Sequence, residues 1–109
     1  VREENGVAFL AERVDLGAAE IKDIAFQLRG ENDNLFAVFG SVQNDKPLLT
    51  VVISDKLVEG KDMNAGKIIR DLATSIKGGG GGQAFFASAG GKDVSGLDEA
   101  LKKAESYLS

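Results

Sequence analysis

No cysteine and no histidine occur among the 109 residues of this chain. Those two absences remove disulfides, thiolate nucleophiles, imidazole bases and ordinary zinc sites. Only carboxylates could hold a metal, and no EF-hand spacing is present. No apolar stretch is long enough to span a bilayer and no signal-peptide pattern is seen, so no membrane partner is expected. Nothing argues for secretion. The acidic residues include no pair with an evident acid–base role, so no catalytic residue is assigned. The chain opens on Val1 and polar residues, and is expected to be a piece of a longer protein. Its length fits a single domain over 1–109 with one real core.

Glycine, by contrast, is plentiful. Five are adjacent, Gly78, Gly79, Gly80, Gly81 and Gly82, between Lys77 and Gln83, and a second group, Gly90 and Gly91, precedes Lys92. Each glycine gives up more backbone entropy on folding than any other residue, so a run of them needs a reason. Bare backbone allows unusual dihedral angles and close approach of a partner to N–H groups. The run is therefore expected to be a surface loop whose amides, in a nest-like arrangement, meet an anion such as the sugar-phosphate chain of RNA.

Net charge is −4 at neutral pH, which by itself argues mildly against nucleic acid. Its distribution is uneven. Residues 1–55 carry five Lys/Arg against ten Asp/Glu, residues 56–92 six against three, and residues 93–109 two against four. The positive stretch surrounds the glycines. An excess of three charges is also within the fluctuation of an ordinary solvated surface.

Hydrophobic periodicity predicts strands at 7–14, 35–42, 48–54 and 85–89, and helices at 18–29, 64–77 and 95–109. Ile21, Ile24, Ala25 and Leu28 form one apolar stripe, with Asp15 or Gly17 at the start and Gly30 as an end cap. Ala65, Ile68, Ile69, Leu72, Ala73 and Ile76 form a second, capped by Asn64 and Gly78. Leu97, Ala100, Leu101, Ala104 and Leu108 form a third, behind a Ser95–Asp98 capping box. Gln43 to Pro47 is hairpin chemistry, and Arg2-Glu3-Glu4 a solvated face. The order β-α-β-β-α-β-α implies an α/β fold, a mixed β-sheet of about four to five strands with helices packed on it.

The nucleotide-binding motifs fail. Gly91-Lys92 has Phe86 where a P-loop needs glycine and Asp93 where it needs Ser or Thr; Gly66-Lys67 has Lys61 and Ile68 in those places. The glycine run follows a helix, whose C-terminal dipole repels anions. Gly90-Gly91 is better placed, because the helix opening near Ser95-Gly96 could receive a phosphate, although a plain tight turn is the favoured explanation of the pair taken alone. Phe85 and Phe86 could stack on bases, but alternate in a strand, and core packing accounts for both. Lys67, Arg70 and Lys77 fall outside the apolar stripe of their helix and face solvent or a partner.

The succession Asn64-Ala65-Gly66-Lys67-Ile68-Ile69-Arg70, Gly78 to Gln83, Ala87-Ser88-Ala89-Gly90-Gly91-Lys92-Asp93 and Leu97-Asp98-Glu99-Ala100-Leu101 resembles the C-terminal globular domain of bacterial alanyl-tRNA synthetases, of the DHH-associated family. RecJ-like phosphoesterases share that domain, typically with a histidine after the glycines, which this chain lacks. Ala84-Phe85-Phe86 replaces a stretch that is more polar in many bacterial synthetases. The resemblance implies a non-catalytic domain that contacts the elbow of alanine-specific tRNA and supports aminoacylation and editing in a cytoplasmic parent. The residues themselves supply the expected contacts: bare amides of Gly78, Gly79, Gly80, Gly81, Gly82, Gly90 and Gly91 as donors, Lys67, Arg70, Lys77 and Lys92 as counter-charge, and Gln83 beside them. No cofactor is expected here, with ATP and zinc in the parent outside this region. Expected partners are the tRNA, the rest of the synthetase chain and, possible in this family, a second copy. Alternatives are the substrate-binding accessory domain of a RecJ-like phosphoesterase and a structural dimerisation domain.

Overall fold

Apolar runs that are buried on both faces dictate the centre of this molecule. In the computed structural model, which describes residues 2–108, Leu35 to Phe39 and Leu49 to Ile53 lie almost wholly out of solvent. They belong to β3 (Leu35–Gln43) and β4 (Lys46–Ile53), an antiparallel pair in the middle of a six-stranded sheet. The other strands are β1 (Arg2–Glu4), β2 (Val7–Arg13), β5 (Gly79–Gly82) and β6 (Phe86–Gly90). Their spatial order is β1-β2-β3-β4-β6-β5. Only β2 and β3 run parallel, joined over the sheet by α1 (Ala18–Glu31). This is the expected α/β class, with six strands where four to five were predicted.

Helices cover both faces. Ile21 and Ala25 of α1 pack on Leu35, Ala37, Phe39 and Val52. The opposite face carries α3 (Ala65–Ala73) and α4 (Leu97–Ala104), whose predicted stripes are buried against Phe36, Val38, Leu49, Val51 and Ile53. A short helix, α2 (Asp55–Gly60), follows β4; its six residues are too few for a periodic signal.

Several boundaries differ from the expectation, each for a local reason. Arg2-Glu3-Glu4 pairs with β2 through a turn at Asn5 and Gly6, both at positive φ, as a two-residue hairpin demands. Helix α1 runs through Gly30 to Glu31 and is capped by Asn32, whose N–H and side-chain amide both donate to Leu28 O at 3.0 Å. Ile24 is 38% exposed rather than buried, because it overhangs the sheet beside Leu10 and Val14. The last helix is broken. A 3-10 turn over Val94–Gly96 precedes α4, and another over Glu105–Leu108 follows it. Asp93, not Ser95, caps the start, its carboxylate accepting from the Ser95 N–H and hydroxyl.

The C-terminal turn is tied to α3 through charge. The Asp71 carboxylate accepts the Tyr107 hydroxyl and pairs with Lys103 Nζ at 2.9 Å. The Tyr107 hydrogen bond, then Lys103, hold the Asp71 carboxyl below its usual range, while burial and then Asp71 push Tyr107 up to about 12. Asp71 therefore contributes stability above pH 3.8 that is lost as pH falls through its lower folded value. Tyr107 contributes fully below pH 10.0, and that contribution is lost as pH rises through about 12. Tyr107→Phe is expected to cost about 1 kcal/mol or less at neutral pH and to flatten the alkaline limb of a urea-melt series. An unchanged alkaline limb would show that the Tyr107–Asp71 contact is not formed in solution.

Candidate nucleic-acid interface

The glycine run is a strand and not a loop. Gly79 to Gly82 pair antiparallel with Gly90 to Ala87, making β5 the outer edge of the sheet. No residue from 78 to 82 has a positive φ, so the predicted nest is absent. The bond from Gln83 N–H to Phe86 O, 2.8 Å, sets the phase of the ladder. By the antiparallel alternation, Gly79 and Gly81 then bond inward to β6, while the N–H groups of Gly80 and Gly82 point to the free edge. Gly78 N–H is taken by Ala73 O at 3.0 Å. The run thus offers two edge donors where five were expected.

Steric fit explains the composition. A Cβ on Gly78, Gly80 or Gly82 would lie 2.1, 2.2 or 2.5 Å from a carbonyl oxygen of β6. These three need to be glycine so that β5 can approach β6 so closely. At Gly79 and Gly81 a Cβ would meet nothing within 4 Å. Those two share the face of Ser88 and Gly90, a face that α1 leaves open.

The loop beyond β6 is equally bare for packing reasons. Gly91 and Gly96 lie against the end of α3, where a Cβ would come within 2.3 Å of Ile76 O and 1.7 Å of Ser75 O. The N–H groups of Lys92 and Asp93 both donate to Ile76 O at 2.9 Å. This wrapping fixes Lys92 beside β5. It also fills the helix start with the Asp93 carboxylate, so the phosphate position anticipated near Ser95-Gly96 is closed. Ser95 hydrogen bonds and then the charge of Lys77 hold Asp93 below the usual carboxylate range.

Helix α3 continues through a 3-10 turn over Thr74–Ile76 and ends on Lys77, at φ 53° and ψ 48°. Lys77 N–H donates to Thr74 O and Gly78 N–H to Ala73 O, the bond pattern of a Schellman motif. The left-handed position anticipated at Gly78 is thus occupied by Lys77, which carries a penalty of about 1–2 kcal/mol relative to glycine. Its ammonium is thereby delivered to the end of β5.

These elements enclose an open cleft of about 530 Å³. Its floor is Gly78, Gly79, Gly90, Gly91 and Pro47, and its cations are Lys46, Lys77 and Lys92. Six predicted residues therefore meet: Lys77, Gly78, Gly79, Gly90, Gly91 and Lys92. Lys46 joins them unforeseen. It begins β4, and only the pairing of β4 with β6 (Leu48 opposite Gly90) brings it there. The tie from Gly91 N–H to Pro47 O, 3.1 Å, secures it. That long-range pairing has no signal near Lys46. Lys67 and Arg70 are exposed on α3, which packs on β5, but neither lines the cleft. Gly81, Gly82 and Gln83 line a second cleft farther along β5, with Phe85 and Phe86.

The family described as the DHHA1 domain matches residues 6–109. An alanine–tRNA ligase of Christiangramia forsetii is 59% identical over 108 residues, covering 99% of this chain and 12% of the relative. One of Bacteroides thetaiotaomicron is 48% identical over 104 residues, covering 94% of this chain and 12% of the relative. The chain thus spans about an eighth of the length of these relatives. Among solved structures, the C-Ala domain from Aquifex aeolicus alanyl-tRNA synthetase superposes with a TM-score of 0.87 at 26% identity, covering 99% of this chain and 96% of that one.

Proposed function

The chain belongs to the DHHA1 domain family, and from that premise we propose that it is the tRNA-binding C-terminal domain of an alanine–tRNA ligase. The observation that carries the proposal is the convergence of Lys46, Lys77 and Lys92 on a cleft floored by bare backbone. Three ammonium groups around a shallow floor suit phosphate oxygens. With so few side chains projecting from that floor, a sugar-phosphate chain can approach the strand itself. Such a site reads shape and charge more than sequence, as expected for the folded corner of a tRNA. The domain would hold the tRNA while other segments of the ligase perform aminoacylation and editing. The chain's net charge of −4 is compatible with this role, since a tethered module acts at high effective concentration.

We assign ATP and zinc to other segments of the ligase, because this chain has neither histidine nor cysteine to offer a zinc ion. The cytoplasm is the compartment this role implies. Among the described residues no helix is long and apolar enough to cross a membrane.

The test is a salt titration of tRNA binding by this domain. Three phosphate contacts give a slope of log K on log salt of about −2 to −3. Affinity should then fall roughly 15- to 65-fold between 50 and 200 mM salt. No binding even at low salt would sink the proposal.

A further inference from the structure

The face of the outer hairpin that α1 leaves open ends in three half-buried phenylalanines, which the phosphate cleft does not use. Phe86 begins β6 on the same face as Ser88, and Phe26 of α1 stacks against it at 5.1 Å between centroids, 27° between planes. Phe85, at the hairpin tip, lies 6.3 Å from Phe26. With Gln83 and Gly81 they line a cleft of about 330 Å³.

The two neighbouring cations differ in how they are held. Arg29 lies 5.0 Å over the Phe85 ring and is fixed there by bonds to Ile53 O and Asp55. Phe85 O also accepts from Ile53 N–H at 2.8 Å. Phe85 is therefore a closed, structural contact. Over Phe86, besides the stacked Phe26 ring, stands the Lys22 ammonium, 5.9 Å from the centroid on an exposed side chain. A π-face covered by a solvent-exposed cation can exchange that cation for a flat ring.

We infer that Phe86 is a stacking platform for a nucleobase of the bound RNA, one that is unpaired or at the open end of a helix, continuing the path begun in the lysine cleft. The inference rests on the RNA-binding role proposed above. The flat floor supports it, since Gly81 and Ser88 stand opposite each other on this face and leave room for a planar ring. So does charge complementarity. Lys22, displaced from Phe86, reaches the phosphate of the stacked nucleotide, and the exposed Gln83 amide can meet a base edge. From Gly79, in the lysine cleft, to Gly81, in this one, β5 rises about 7 Å, within the reach of a single nucleotide.

The probe is a short single-stranded oligoribonucleotide with 2-aminopurine at its centre, compared with the same strand carrying an abasic centre. Binding to the unaltered chain should quench the 2-aminopurine, and the abasic strand should bind about ten-fold more weakly. Phe86→Leu, which keeps apolar bulk, should remove that ten-fold difference and leave abasic binding unchanged. Equal binding of the two strands by the unaltered chain overturns the inference, and needs no variant to fold. If that equality comes with loss of binding on replacing Lys46, Lys77 and Lys92, the RNA-binding role survives without the stacked base. Absence of binding by either strand and by tRNA removes both.

Discussion

Alanine at Gly80 is expected to unfold the outer hairpin, while alanine at Gly81, the next residue, leaves the protein slightly more stable than before. The two glycines are adjacent in one strand and point to opposite faces. A methyl at Gly80 would sit 2.2 Å from Ser88 O and 2.7 Å from Ala89 Cβ. Both neighbours belong to a paired strand whose Ala87 and Ala89 are buried in the core, so neither can move aside cheaply. Overpacking of that severity costs about 3 kcal/mol or more, a large fraction of the roughly 5–15 kcal/mol that holds a domain together. A methyl at Gly81 meets nothing within 4 Å and its φ lies outside the left-handed region. The loss of unfolded-state freedom then favours the variant by about 0.4–1 kcal/mol. Paired urea melts decide the matter. Similar midpoints for the two variants would mean that β5 is not packed on β6 in this register.

The alternation separates two uses of glycine inside one run. Gly78, Gly80 and Gly82 are required by packing, so their presence is no argument for a ligand. Gly79 and Gly81 are not required by the fold, yet they line the two clefts. What the five glycines together suggested from composition, a nest of amides, is replaced by a narrower feature: a bare strip of sheet with two free-edge donors.

Much of the scaffold was legible from the chain alone. The apolar stripes of α3 and α4 and the continuous runs of β3 and β4 are buried as their periodicity predicts, because those patterns report burial directly. The resemblance found in residues 64–93 also led to the right family. The glycine strand is not legible in the sequence because its propensity is that of a linker. Pairing to β6 overrides that propensity, and the partner lies across a turn whose phenylalanines drew attention to the core. Strand β1 is signalled by its Asn5-Gly6 turn alone, since three residues are too few to show alternation. Of the candidate site, the part close in sequence was found. Lys46 was not, since its place depends on which strand β4 pairs with on its far side.

Removing the three cleft cations should abolish most of the RNA affinity. At about 1 kcal/mol per phosphate contact, replacing Lys46, Lys77 and Lys92 together weakens tRNA binding on the order of 100-fold at low salt. The salt slope should fall by about 2 to 3 units, becoming nearly flat. Replacing Lys67 and Arg70 by alanine provides the contrast, because they stand on α3 outside the cleft; their loss is expected to be several-fold at most. Lys77 is best replaced by glycine. It holds a left-handed backbone that glycine adopts freely, so Lys77→Gly should raise stability by about 1 kcal/mol while lowering affinity. The chain thus keeps a lysine at a left-handed position where glycine would be more stable. Such a strained position is what a binding role for the side chain predicts. If Lys77→Gly stabilises the domain and leaves tRNA affinity untouched, Lys77 has no such role. If the triple variant binds as the unaltered chain does, the phosphate contacts lie elsewhere, with α3 and its Lys67 and Arg70 the next surface to test.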